Sequence, residues 1–146
     1  MKAAAVLITM VWAVACAARA VAPPTIVMDR SACTKCGMLI SERAYAAAIR
    51  WPDGRDQVFD DIGCLVAAVR QTPAPGAQYW FHDAVSGEWI TGASPIFVVS
   101  SELRTPMGGG IAAYLDQATA ERQATRVRGR VVSDIQALIA LEGNSR

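Results

Sequence analysis

The sequence predicts an α+β fold in which each half of the chain sets a β-hairpin ahead of a helical region. Three observations carry that prediction. Strong turn signals, Pro52-Asp53-Gly54 and Ser86-Gly87, each separate two apolar or aromatic runs. Apolar residues recur at helical spacing after the first of these turns, at Ile62, Leu65, Val66 and Val69. After the second, Ile96 to Val99 forms a compact apolar run of the kind that fills a buried strand.

The elements follow in order. Residues 1–22 carry Lys2, an uncharged run from Ala3 to Ala18 and then small residues, the three regions of an export signal. The run is short of the roughly 20 apolar residues a spanning helix needs. Trp12-Ala13-Val14-Ala15-Cys16 fits a permissive bacterial lipobox, with Cys16 as the acylated first residue; ordinary cleavage after Ala18-Arg19-Ala20 is the other route. The domains are thus an export signal over 1–20, a tether over 21–32 stiffened by Pro23 and Pro24, and a single metal-binding domain over 33–146.

Within that domain, Ala46 to Trp51 and Gln57-Val58-Phe59 flank the first turn as a hairpin, and Asp60 or Asp61 caps the helix that follows. The pattern begins again after Thr72-Pro73-Ala74-Pro75-Gly76, with Gln78–Asp83 and Glu88–Thr91 as a second hairpin. A loop over Arg104–Gly110, a short apolar stretch Ile111–Leu115 and two helical patterns, Asp116–Arg126 and Val131–Leu141, complete the chain. Self-similarity between the halves is too low to establish duplication from residues alone.

At 146 residues with a net charge of +1 and two lysines, the chain has no footprint for nucleic acid. The arginines Arg122, Arg126, Arg128 and Arg130 read as a solvated helix face and loop. Removal of Cys16 from the fold leaves Cys33, Cys36 and Cys64, an odd number, so an exported domain retains at least one thiol for chemistry other than a structural disulfide.

The segment Cys33-Thr34-Lys35-Cys36-Gly37-Met38 concentrates three sulfur atoms. A structural zinc site needs two further ligands, commonly a second close pair; Cys64 and the single His82 stand far apart and in no knuckle pattern. A redox pair belongs at a helix N-terminus after a strand, and no convincing strand precedes Cys33. In an extended segment Cys36 and Met38 point to the same side, presenting a thiolate and a thioether, a soft pair suited to Cu(I). Met107, in Thr105-Pro106-Met107-Gly108-Gly109-Gly110, sits in a loop with no apolar periodicity, beside glycines that permit close approach. Cys36, Met38 and Met107 therefore make a candidate Cu(I) site.

The ordered set Cys36-Gly37-Met38, Phe59-Asp60-Asp61-Ile62-Gly63-Cys64, Trp80-Phe81-His82-Asp83, Ser86-Gly87-Glu88-Trp89-Ile90 and Thr105-Pro106-Met107-Gly108 resembles the NosL family, bacterial copper chaperones that assist nitrous oxide reductase. The resemblance spreads over most of residues 33–114. It implies two related ββα-type units, similar to the core of organomercurial lyase. It also implies a periplasmic lipoprotein held to the membrane, Cu(I) bound by the Cys36 thiolate and methionine thioethers, a copper-acceptor enzyme and a copper donor as partners, and no catalytic residue.

Three roles are open for Cys33: a further metal ligand, a disulfide partner of Cys36, or a passenger. Cys64 reads as a small buried hydrophobe and His82 as a hydrogen-bonded structural histidine. Two rival functions remain, a thiol oxidoreductase using Cys33 and Cys36 and an organomercury-cleaving enzyme using Cys33, Cys36 and Asp60 or Asp61.

Overall fold

The computed structural model describes residues 21–141, so the export signal and Cys16 lie outside the described residues. Two three-stranded antiparallel sheets and three α-helices make up the fold. The first unit comprises β1 (Ala47–Arg50), β2 (Asp56–Phe59), α1 (Ile62–Gln71) and β3 (Gln78–Phe81), with strand order β2-β1-β3. The second comprises β4 (Ile96–Val99), β5 (Ile111–Tyr114), α2 (Gln117–Arg126) and β6 (Arg130–Val132), with order β5-β4-β6, followed by α3 (Ile135–Ala140). Each unit thus runs ββαβ, its first strand central and antiparallel to both neighbours. No helix among the described residues is long and apolar enough to cross a membrane.

Local chemistry explains the first unit. Trp51 N–H bonds to the Arg55 carbonyl across the turn, Asp53 accepts from Arg55 N–H at 3.1 Å, and Gly54 takes the left-handed conformation at φ +84. Asp61 accepts from Gly63 N–H at 2.7 Å and caps α1. The helix then buries Ile62, Leu65, Val66 and Val69 against the sheets.

The second half of the chain departs from expectation in two places. Gln78–Phe81 does not open a new sheet; it closes the first one, with Phe81 opposite Ala47. Its expected partner, Glu88–Thr91, contributes only a bridge between His82 and Trp89. The Val131–Leu141 pattern is also not one helix. Val131 and Val132, β-branched, pair with β4 instead, and a helix starts only after Asp134, whose carboxylate accepts from Ala137 N–H at 2.7 Å.

The main core lies between the units. Ile49, Phe59, Leu65 and Phe81 meet Phe97, Ile111, Val132 and Leu138, with Phe81 and Phe97 edge-to-face at 4.9 Å. The second sheet is covered on its other face too, where Val98, Ala112 and Tyr114 pack on Ala120 and Ala124 of α2. This alternation explains why every residue of β5 is buried.

Candidate metal centre

The Cys33–Gly37 segment is a tight knuckle. Ala32 bridges Leu39, Cys33 N–H donates to the Met38 carbonyl at 2.8 Å, and Gly37 N–H donates to the Cys33 carbonyl at 2.9 Å. Gly37 turns the chain at φ +78, which a side-chain-bearing residue adopts only under strain. The segment is therefore not extended, and strand alternation does not relate Cys36 to Met38. Thr34 seats the knuckle on the free edge of β2, donating to the Val58 carbonyl at 2.9 Å and accepting from Val58 N–H at 3.3 Å.

That seating lays the knuckle against the start of α1. One donor atom from each of Cys33, Cys36, Asp60 and Cys64 lies within 4.8 Å of the others. Cys33 and Asp60 are each 2% exposed and Cys64 8%, while Cys36 is the partly accessible member. All three thiols are free. The Cys36 thiol donates to the Asp60 carboxylate, with sulfur 3.5 and 3.6 Å from its two oxygens.

Burial pushes the Cys33 thiol pKa up, and its hydrogen bond with the Asp60 carboxylate adds to the rise; backbone N–H groups of Asp60, Cys36 and Lys35 work the other way. Cys64 is raised further, by burial first and then by the charges of Cys33, Asp60 and Cys36. Four acidic groups this close cannot ionise together without a counter-charge. A cation among them removes that penalty and favours deprotonated sulfur.

Asp61, next in the chain, faces the other way and is fully buried. Its carboxylate holds the Met107 loop, accepting from Thr105 Oγ1 at 2.6 Å, Met107 N–H at 2.9 Å and Gly109 N–H at 3.3 Å. A Cβ on Gly109 would sit 2.9 Å from the Gly63 Cα, so the loop approaches α1 backbone to backbone. Adjacent carboxylates thereby tie the cysteine cluster and the methionine loop to one helix start.

Of the residues predicted from sequence, Cys33 and Cys36 lie together in the cluster. Met38 and Met107 are at the surface, 58% and 47% exposed, and the Met107 backbone N–H is tied to Asp61, the neighbour of Asp60. Sequence reasoning left Asp60 and Cys64 out of the metal set. The signal for Asp60 was its pairing with Asp61, since only one of two adjacent carboxylates can cap a helix. Cys64 follows Asp60 by four residues, which places it in the first helical turn beside that carboxylate. His82 is buried, bonds through Nδ1 to the Ala46 carbonyl at 2.9 Å and stacks on Trp89 at 3.6 Å between ring centroids.

The knuckle recurs fifty residues on. Asp83 N–H donates to the Glu88 carbonyl and Gly87 N–H to the Asp83 carbonyl, both at 2.8 Å, and Gly87 has φ +72. Asp83 occupies the position of Cys33. Its carboxylate accepts from Ser86 N–H and Oγ, both at 2.9 Å, and from Leu115 N–H at 3.1 Å. Ser86 stands where Cys36 does. Leu115 precedes the cap Asp116 as Asp60 precedes Asp61.

Comparison with known proteins agrees with this architecture. A family model described as NosL matches residues 24–137. The crystal structure of the copper chaperone NosL from Shewanella denitrificans matches with a TM-score of 0.66 at 19% identity, covering 76% of this chain and 91% of that one. At that identity the likeness speaks for the fold. No curated protein matches the chain.

Proposed function

The chain belongs to the NosL family, and on that premise we propose that it is a copper-binding chaperone that takes up Cu(I) and passes it to a copper enzyme, nitrous oxide reductase. The observation that carries this reading is the cluster itself: one partly accessible thiol, Cys36, in an otherwise buried group, with Met38 exposed two residues on and the Met107 loop clamped to Asp61, the neighbour of Asp60. We assign Cu(I) to Cys36 with the thioethers of Met38 and Met107, and Cys33 as a secondary ligand. Soft donors at low coordination suit Cu(I), and an incompletely filled metal is open to attack by an acceptor's ligand. The protein's task is delivery, so no catalytic residue is assigned. The reading includes a periplasmic location, a lipid anchor on Cys16 and a copper donor upstream.

Anaerobic Cu(I) titration against a chelating competitor tests it. Cys36→Ser is expected to weaken binding the most, and Met38→Leu and Met107→Leu each by about tenfold, on the scale of losing a tuned metal contact. Equal binding by all four proteins overturns the assignment. A thiol oxidoreductase would instead form a reversible disulfide between Cys33 and Cys36 and keep its activity in Met38→Leu and Met107→Leu.

One observation favours a second reading: two thiols, Cys33 and Cys36, beside the buried Asp60 carboxylate are the groups an organomercury-cleaving enzyme needs. The lyase-like core implied by the sequence resemblance belongs to that reading. Hydrocarbon release from an alkylmercury compound would establish it, and none disposes of it.

A further inference from the structure

We propose that Cys33, Cys36, Cys64 and Asp60 form a tetrahedral Zn(II) site distinct from the outward thioether set, sharing with it Cys36 and its secondary ligand Cys33. The proposal does not rest on the copper reading. Its first support is geometric. Three sulfurs and one oxygen come from a knuckle, a strand-to-helix junction and a helix's first turn, all within 4.8 Å of one another. Zinc–sulfur bonds of about 2.3 Å place tetrahedral ligands about 3.8 Å apart, so the cluster need contract by only about 1 Å to close on an ion.

The second support is the oxygen. Asp60 is 2% exposed, and among the described residues its carboxylate has only thiols as side-chain donors, Cys36 by hydrogen-bond geometry and Cys33 beside it. A carboxylate is a hard donor that contributes little to Cu(I) and is an ordinary ligand of Zn(II). With three thiolates it carries four negative charges, of which a divalent ion offsets two and a monovalent ion one.

The second knuckle supplies the third support. There the position of Cys33 holds a carboxylate, Asp83, accepting from Ser86 and Leu115. The corresponding N–H groups, those of Cys36 and Asp60, favour the charged form of the Cys33 sulfur. The fold thus builds an anion position at this point of each unit. In the second it is satisfied internally, and in the first it opens onto two more thiols and a carboxylate. Because Cys36 and, secondarily, Cys33 serve both sets, Zn(II) in the cage and Cu(I) on the thioethers compete for the same thiolates.

Co(II), a spectroscopic stand-in for Zn(II), tests the cage in the full chain. The expected result is the intense visible spectrum of four-coordinate cobalt with sulfur-to-cobalt charge transfer, bleached by one equivalent of Zn(II). In chelator competition Cys64→Ser and Asp60→Asn should each weaken Zn(II) binding at least about tenfold, while Met107→Leu leaves it unchanged. A weak six-coordinate cobalt spectrum, or both cage variants binding like wild type, overturns the proposal. Should Cys64→Ser fail to fold, X-ray absorption on the zinc-loaded wild type decides: three sulfurs and one oxygen are expected, and two sulfurs or fewer sink the cage. Cu(I) binding without Zn(II) binding defeats the cage alone; Zn(II) binding without Cu(I) binding defeats the copper reading alone.

Discussion

The two knuckles share a backbone and differ in chemistry. Residues 32–39 and 82–89 make the same bridge, the same turn and the same left-handed glycine. In the first, the side chains are Cys33, Cys36 and, from the helix junction, Asp60; in the second they are Asp83, Ser86 and Leu115. The second set closes on itself, an aspartate accepting bonds from a hydroxyl and two N–H groups. The first has a buried carboxylate with thiol donors, and thiols are weak donors. One scaffold thus yields a finished turn in one place and an incomplete donor set in the other. The incomplete one is the candidate metal centre.

The helix caps carry the same contrast, with a larger energetic consequence. Asp61 and Asp116 stand at equivalent junctions, yet Asp61 is fully buried and also clamps the Met107 loop, whereas Asp116 is exposed and caps only its own helix through Thr119 N–H at 2.8 Å. Asp61→Ala should cost about 3 kcal/mol, since it orphans buried donors, and Asp116→Ala about 1 kcal/mol. Urea denaturation measures both, and equal losses would show that the Met107 loop is not held as described.

Exchanging the knuckles' own side chains should affect stability less. Cys33→Asp with Asp60→Leu makes the first knuckle like the second, and the new carboxylate meets N–H groups in the places of those around Asp83. The variant should unfold within about 1.5 kcal/mol of wild type yet lose metal affinity. A variant that does not fold would mean the two turns are not interchangeable.

The smallest effect is in pH dependence. His82 stands where Ala32 stands in the first knuckle, so only the second titrates there. Burial holds the imidazole pKa below its ordinary 6.5, with nearby Arg43 acting the same way; the Ala46 carbonyl and Glu88 oppose the shift. The unfolded chain therefore takes the proton more readily, and stability falls as pH drops below about 6.5 and recovers above it. Thermal unfolding across that range should show the slope in wild type and its loss in His82→Gln.

Much of the fold was legible because its signals are local. The Pro52-Asp53-Gly54 turn, the cap at Asp60-Asp61 and the helical spacing from Ile62 to Val69 each depend on neighbours within one turn of chain. What the sequence hid was set by pairing at a distance. Gln78–Phe81 looks like the start of a hairpin, but Ala47–Arg50 had an unfilled edge thirty residues earlier and claimed it. Val131 and Val132 fit a helical pattern as well as a strand; the open edge of β4 decided between them. The cluster was half legible for the same reason. Cys33 and Cys36 are a visible pair, whereas Asp60 and Cys64 join them only because the knuckle docks on β2. The repeat was hidden because the two knuckles keep glycine and backbone bonds while exchanging thiol for carboxylate and hydroxyl.

Phe81 belongs to both units at once. It ends β3 opposite Ala47, and its carbonyl accepts from Ile90 N–H at 2.9 Å to close the second knuckle. No linker separates the repeats, and neither can melt without unpicking the other's last strand or first turn. The duplicated architecture therefore unfolds as one cooperative unit, a single two-state transition rather than two.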